Sequence, residues 1–139
     1  MAEGILKHKF NQQSKNVLVE SAGFEPYHIG DKPDKRTIET LQKHQISLIG
    51  KRARLFKTED FDKFDKIYFM DDNNFYHAKD FVRTKDDLAK LDYIMNVLEP
   101  KNNTEVPDPY YGGKEGFELV YRMLDKACGK ITDLVKSEH

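Results

Sequence analysis

The 139 residues contain no tryptophan and a single cysteine, Cys128. One cysteine excludes an internal disulfide and the paired thiols of redox chemistry, and it agrees with a reducing, cytoplasmic setting. Net charge is also scarce: 23 Lys and Arg against 24 Asp and Glu leave −1. Nothing in that balance points to nucleic acid or an anionic membrane as partner. No apolar run approaches the roughly 18 residues of a membrane helix, and Met1-Ala2-Glu3-Gly4 does not open a signal peptide. Metal-ligand spacing is missing among His8, His28, His44, His77 and His139, which suits solvated or capping histidines. Asp60, Asp62 and Asp65 begin like a calcium loop, but Asp65 stands where that loop needs glycine. Gly112-Gly113-Lys114 lacks the Ser or Thr and the spacing of a nucleotide P-loop. Neither metal nor cofactor is expected.

Aromatics make up 12% of the chain, hydrophobic residues 38% and charged residues 34%, enough for one polar domain with a real core over residues 1–139. Met1, Ile5, Leu6 and Phe10 share one face of a helix that starts at the first residue. Val17-Leu18-Val19, ended by Gly23, and Ile67-Tyr68-Phe69-Met70, ended by Asp71-Asp72-Asn73-Asn74, predict buried strands. Asp34 is placed to cap a helix with Ile38 and Leu41 inward. Thr58 is placed to cap a short helix with Phe61 and Phe64, and Thr84 with Asp87 to start one through Leu88 and Leu91. The pattern of Tyr93 to Leu98 fits helix or strand. From about Lys114, Phe117, Val120, Tyr121, Leu124, Ala127, Cys128, Ile131 and Val135 form one apolar stripe, so Cys128 reads as a packed residue. Helices alternating with short apolar strands predict an α/β domain with a parallel sheet.

The densest chemistry lies in Asp108-Pro109-Tyr110-Tyr111-Gly112-Gly113: an acid, a rigid Pro, two aromatic rings and two glycines on a loop. Taken alone, Asp108-Pro109 is an ordinary turn pair. Ordered blocks precede it: Met1-Ala2-Glu3-Gly4-Ile5-Leu6; Ser21-Ala22-Gly23; Gly30 to Asp34 with Arg36; Arg52-Ala53-Arg54; Phe61, Phe64 and Asp65 leading to Met70-Asp71; and Asn74. In this order the blocks resemble the low-molecular-weight protein-tyrosine phosphatases, from Met1 to about Leu134. That resemblance implies a three-layer, flavodoxin-like α/β fold with a parallel sheet of order 2-1-3-4 flanked by helices, and it favours a strand at Tyr93 to Leu98.

It also implies a function: hydrolysis of phosphotyrosine through a Cys-phosphate intermediate. Asp108 would be the general acid that protonates the leaving phenol oxygen, then activates water. Tyr110 and Tyr111 would wall the cleft, with Tyr27 facing them, as flat rings suit an aryl phosphate; a Tyr27 packed on its own helix is the plainer alternative. Arg52 and Arg54 fit loop anchors or carboxylate partners better than a phosphate site. In the family, a first strand and a Cys, five residues, Arg loop come before Met-Ala-Glu-Gly. Here the sequence opens at Met1-Ala2-Glu3-Gly4, and the residue six after Cys128 is Leu134. The expectation is therefore a chain without the central first strand and the nucleophile loop, inactive as written. Either a short leading stretch is omitted, or this is a non-catalytic, phosphatase-like binding module. In a chain with this start the orphan strands are expected to pair with each other, accept a strand from another chain in a strand-sharing oligomer, or stay loose.

Overall fold

The computed structural model describes residues 1–24, 30–48 and 53–135, the side chains of Tyr110 and Tyr111 excepted. Chain order begins with helix α1 (Ala2–Gln12). Its apolar side chains recur on one face, which leaves Ile5 and Phe10 0% and 2% exposed, and Ser14 (φ 55) then takes the chain out of the helix. Gly4 on the same face is needed for space: a Cβ there would lie 2.8 Å from Leu48 Cδ2. Helix α2 (Lys35–Lys43) starts as expected at Asp34, whose side chain accepts the Arg36 amide, and it buries Leu41. The short α3 (Asp60–Lys63) includes Phe61 but is entered at Glu59, not Thr58, with Phe64 just outside it.

Strand β1 (Ile67–Phe69) is followed by α4 (Asp72–Lys79), α5 (Lys85–Lys90) and strand β2 (Leu91–Tyr93). The two strands pair in parallel, Ile67 opposite Leu91 and Phe69 opposite Tyr93, so the expected α/β alternation stands. Among the described residues they form the whole sheet, apart from a parallel bridge between Gly23 and Leu55. Thr84 caps α5 as expected, its hydroxyl accepting the Asp87 amide.

Two strand expectations are corrected. Val17 to Val19 joins no ladder; Val17 and Leu18 are 36% and 59% exposed and only Val19 turns into the core. A β-branched run favours extended backbone, but a strand also needs a neighbour to bond to, and among the described residues no strand pairs with it. The pairing of this segment with β1 is likewise not seen there. Tyr93 to Leu98 is a strand only at its first residue, and Leu91, read as the end of a helix, begins that strand. The chain then turns through a 3-10 segment at Ile94–Val97. Side-chain amide chemistry explains the turn: the buried Asn96 donates to Asp92 Oδ1 at 2.7 Å and accepts the Asn103 amide at 2.8 Å. Those bonds satisfy polar groups that a continued strand would leave for a neighbour.

The last helix, α6 (Gly113–Leu134), buries Phe117, Val120, Leu124, Ala127, Cys128 and Ile131, the stripe expected from spacing. It packs against α1, where Lys9 Nζ reaches Asp125 at 2.9 Å, and just beyond that helix Lys15 Nζ donates to the Thr132 carbonyl at 2.6 Å. Burying each large apolar side chain contributes about 1.5–3 kcal/mol, so this helix pair anchors the core. No described helix is long and apolar enough to cross a membrane.

Candidate active site

The sequence blocks that lie far apart in the chain touch one another in the fold. Ser21 Oγ donates to Glu3 Oε1 at 2.9 Å, joining the Ser21-Ala22-Gly23 block to the start of α1. The amide of Gly23 donates to the Arg54 carbonyl at 2.9 Å and the Phe56 amide to the Gly23 carbonyl at 2.8 Å. Gly30 and Asp31 exchange backbone hydrogen bonds with Ala53, both at 2.9 Å, which brings the third block onto the fourth. Arg36, just after the third block, lies over the Phe117 ring of α6 at 4.9 Å.

Asp71 closes β1 and caps α4 by accepting the Asn74 amide at 2.8 Å, while Asn74 Oδ1 accepts the Met70 amide at 3.1 Å. This reciprocal pair satisfies backbone donors at the strand end and the helix start, which is why those residue types sit there. The amide of Val106 donates to the Met70 carbonyl at 2.8 Å. Through that bond the Asp108 segment lies at the C-terminal end of β1, where α/β sheets place ligands. Asp108 is exposed, and Pro109–Gly112 forms a 3-10 turn leading into α6. Gly113 has φ 58, a left-handed conformation that glycine adopts without cost. A Cβ on Gly116 would sit 2.7 Å from the Pro109 carbonyl oxygen, so the turn rests directly on the helix.

Tyr110 and Tyr111 belong to that turn by backbone, their side chains being outside the described set. Tyr27, Arg52, His28 and His139 lie outside the described residues. Arg54 does meet carboxylates: Nη1 and Nη2 form a bidentate pair with the buried Asp60 at 3.0 and 3.2 Å. Its Nε faces Glu20 at 3.3 Å. Burial pulls the guanidinium toward neutrality, but Asp60 and Glu20 outweigh it and hold its pKa above the ordinary value. A doubly engaged arginine of this kind is a loop anchor.

Cys128 is fully buried on α6, its sulfur 3.8 Å from the Ala2 carbonyl. Burial pushes the thiol up to about 12, so it is not a thiolate near neutrality. Among the histidines, His44 ends α2 and lies flat on Tyr121 at 3.7 Å, and His77 stacks on Phe24 at 5.2 Å. Both act as ring platforms. Among the described residues no group of three His, Cys, Asp or Glu side chains is placed to hold a metal.

Three features escaped the sequence reading, the first two beside the Asp108 segment. Glu105 Oε2 accepts the Asp72 amide at 3.0 Å, the Tyr93 hydroxyl donates to Asp72 Oδ1, and Phe24 sits among Phe56, Phe81 and His77. The bond to Asp72 raises the Tyr93 phenol to about 12, keeping it a donor. No local spacing encodes these contacts, since each joins residues on different elements.

Comparison with known proteins agrees with this arrangement. The model of a family described as low molecular weight phosphotyrosine protein phosphatase matches residues 1–139. A Synechocystis sp. relative, named as a low molecular weight protein-tyrosine-phosphatase, is 39% identical over 132 residues, covering 94% of this chain and 83% of its own. The Sus scrofa low molecular weight phosphotyrosine protein phosphatase is 30% identical over 142 residues, covering 98% of this chain and 87% of its own. The crystal structure of YfkJ from Bacillus subtilis superposes with a TM-score of 0.86 at 29% identity, over 96% of this chain and 83% of that one. A protein tyrosine phosphatase from Entamoeba histolytica superposes with a TM-score of 0.84 at 29% identity, over 95% and 85%. With its sequence blocks in contact with one another and its whole length matched, the chain belongs to the low molecular weight phosphotyrosine protein phosphatase family.

Proposed function

We propose that Asp108 is the general acid of a phosphotyrosine hydrolysis in which Tyr27, Tyr110 and Tyr111 hold the aryl ring, acting on phosphotyrosine-bearing proteins in the cytoplasm. The observation that carries this reading is the Val106–Met70 bond of 2.8 Å, which holds the Asp108 segment at the C-terminal end of β1. In this chemistry a thiolate attacks phosphorus and the bond from phosphorus to the phenol oxygen breaks. Asp108 gives its proton to that oxygen, because a phenol with a pKa of about 10 leaves poorly as an anion. The resulting carboxylate takes a proton from the water that hydrolyses the phospho-cysteine.

The 139 residues carry one cysteine and no Cys-x5-Arg sequence, and Cys128 is buried and protonated. We therefore infer that these residues alone turn over no aryl phosphate, and that the attacking thiolate and the phosphate-clamping Arg must come from a loop of that form. Assaying p-nitrophenyl phosphate with the chain itself tests the first statement. Turnover that vanishes in Asp108→Ala would overturn it. Fusing a strand and a Cys-x5-Arg loop ahead of Met1 tests the second. The fusion should hydrolyse phenyl phosphate, and Asp108→Ala should cost about 100-fold or more, the scale of general acid catalysis.

The alternative is a non-catalytic module that binds phosphotyrosine through the aromatic residues. The inert environment of Cys128 favours it as a reading of the chain by itself. Calorimetric titration with phosphotyrosine separates the two: tight binding by the chain alone supports the module, and heats that require the fused loop support the enzyme.

A further inference from the structure

The acid segment has a second attachment that the proposed chemistry does not use. Glu105 Oε2 accepts the Asp72 amide at 3.0 Å, in the first turn of the eight-residue α4. The next residue, Val106, is 6% exposed and donates to the Met70 carbonyl. Consecutive residues thus grip the end of β1 and the start of α4. On the far side, Pro109 rests on Gly116 with no room for a side chain. Asp108 is suspended between these two fixed points.

Glu105 joins a turn that already carries Asp71 and Asp72, where the Tyr93 hydroxyl donates to the Asp72 carboxylate. The positive end of α4, whose first-turn amides have no partner within the helix itself, favours a carboxylate at this place. We propose that Glu105 is a positioning residue: its carboxylate ties the Asp108 segment to the N-terminus of α4 and so sets the depth at which Asp108 meets a leaving group. This rests on the reading of Asp108 as the general acid.

Amide hydrogen exchange on the full chain tests the tie directly. In Glu105→Ala the amides of Asp72 and Val106 should both exchange roughly two- to fivefold faster, and Glu105→Gln, which still offers an oxygen, should restore much of the protection. Faster exchange at Asp72 with Val106 unchanged would reduce Glu105 to a cap for α4 and overturn the proposal. In the fusion bearing the nucleophile loop, Glu105→Ala should lower the rate on phenyl phosphate, which needs a proton. It should spare 2,4-dinitrophenyl phosphate, whose leaving group needs none. Equal losses on both would also overturn it. If Asp108→Ala loses nothing on phenyl phosphate, the acid reading itself fails, and the exchange result still decides the tie.

Discussion

At the residue scale, the constraints fall on small contacts with little tolerance. Gly116 lies where a Cβ would come within 2.7 Å of the Pro109 carbonyl oxygen, a backbone atom that cannot swing aside. Gly116→Ala should therefore cost about 1–3 kcal/mol, the range for overpacking, read as a lower urea midpoint. An unchanged midpoint would mean that the turn shifts freely. Cys128 gives a second test. Its thiol is raised to about 12 by burial, against about 9 for an ordinary thiol. The folded protein should resist iodoacetamide at pH 8 and label only after denaturation; rapid labelling of the native chain would contradict its burial. The same shift has a definite sign. A group whose folded pKa is raised contributes stability that is present below about 9 and is lost as pH climbs toward about 12. Cys128 was legible in the sequence because its place on the α6 stripe is a matter of spacing. Glu105 was not, since its partner Asp72 is 33 residues away.

At the element scale, charged side chains decide how the short helices are held. Arg83, just before α5, donates to Asp62 of α3 at 3.1 and 2.7 Å and to Asp87 of α5 at 2.9 and 3.3 Å. Hydrogen bonding to Arg83 holds both carboxyls below their usual range. Groups lowered on folding contribute stability above the ordinary carboxylate pKa of about 4 and lose it as pH falls further. Arg83→Ala should accordingly be less stable than the parent at pH 7, and the gap should narrow at pH 3. Urea midpoints at the two pH values check this, and a constant gap would remove the network from the account. Helix starts were the most readable elements, because Asp34 and Thr84 each satisfy an amide two or three residues on. Strand limits were harder, since the end of β2 depends on an Asn96 to Asn103 bond across a loop.

At the scale of the whole molecule, stability is uneven. The α1–α6 pair, Tyr68 of β1 and Ile94 just after β2 share one buried core, whereas Val17 and Leu18 are exposed and join no ladder. Hydrogen exchange of the full chain should find β2 and the interior of α6 protected and the amides of Val17 and Leu18 open. Protection at Val17 and Leu18 would show a strand lying beside them in solution, as in a strand-sharing oligomer.

What the sequence by itself determined is whatever is written in neighbouring residues: the caps at Asp34 and Thr84, the α6 stripe, and the ordered blocks that mark the family. Those features rest on periodicity and on side chains that bond their own backbone, and both operate within a few residues. The tertiary structure alone decided which apolar runs became strands and where Asp108 sits. A ladder needs a partner, so Ile67–Phe69 became a strand beside Leu91–Tyr93 while Val17 to Val19 did not. The position of Asp108 follows from Met70, Asp72 and Gly116, residues brought to it only when β1, α4 and α6 pack.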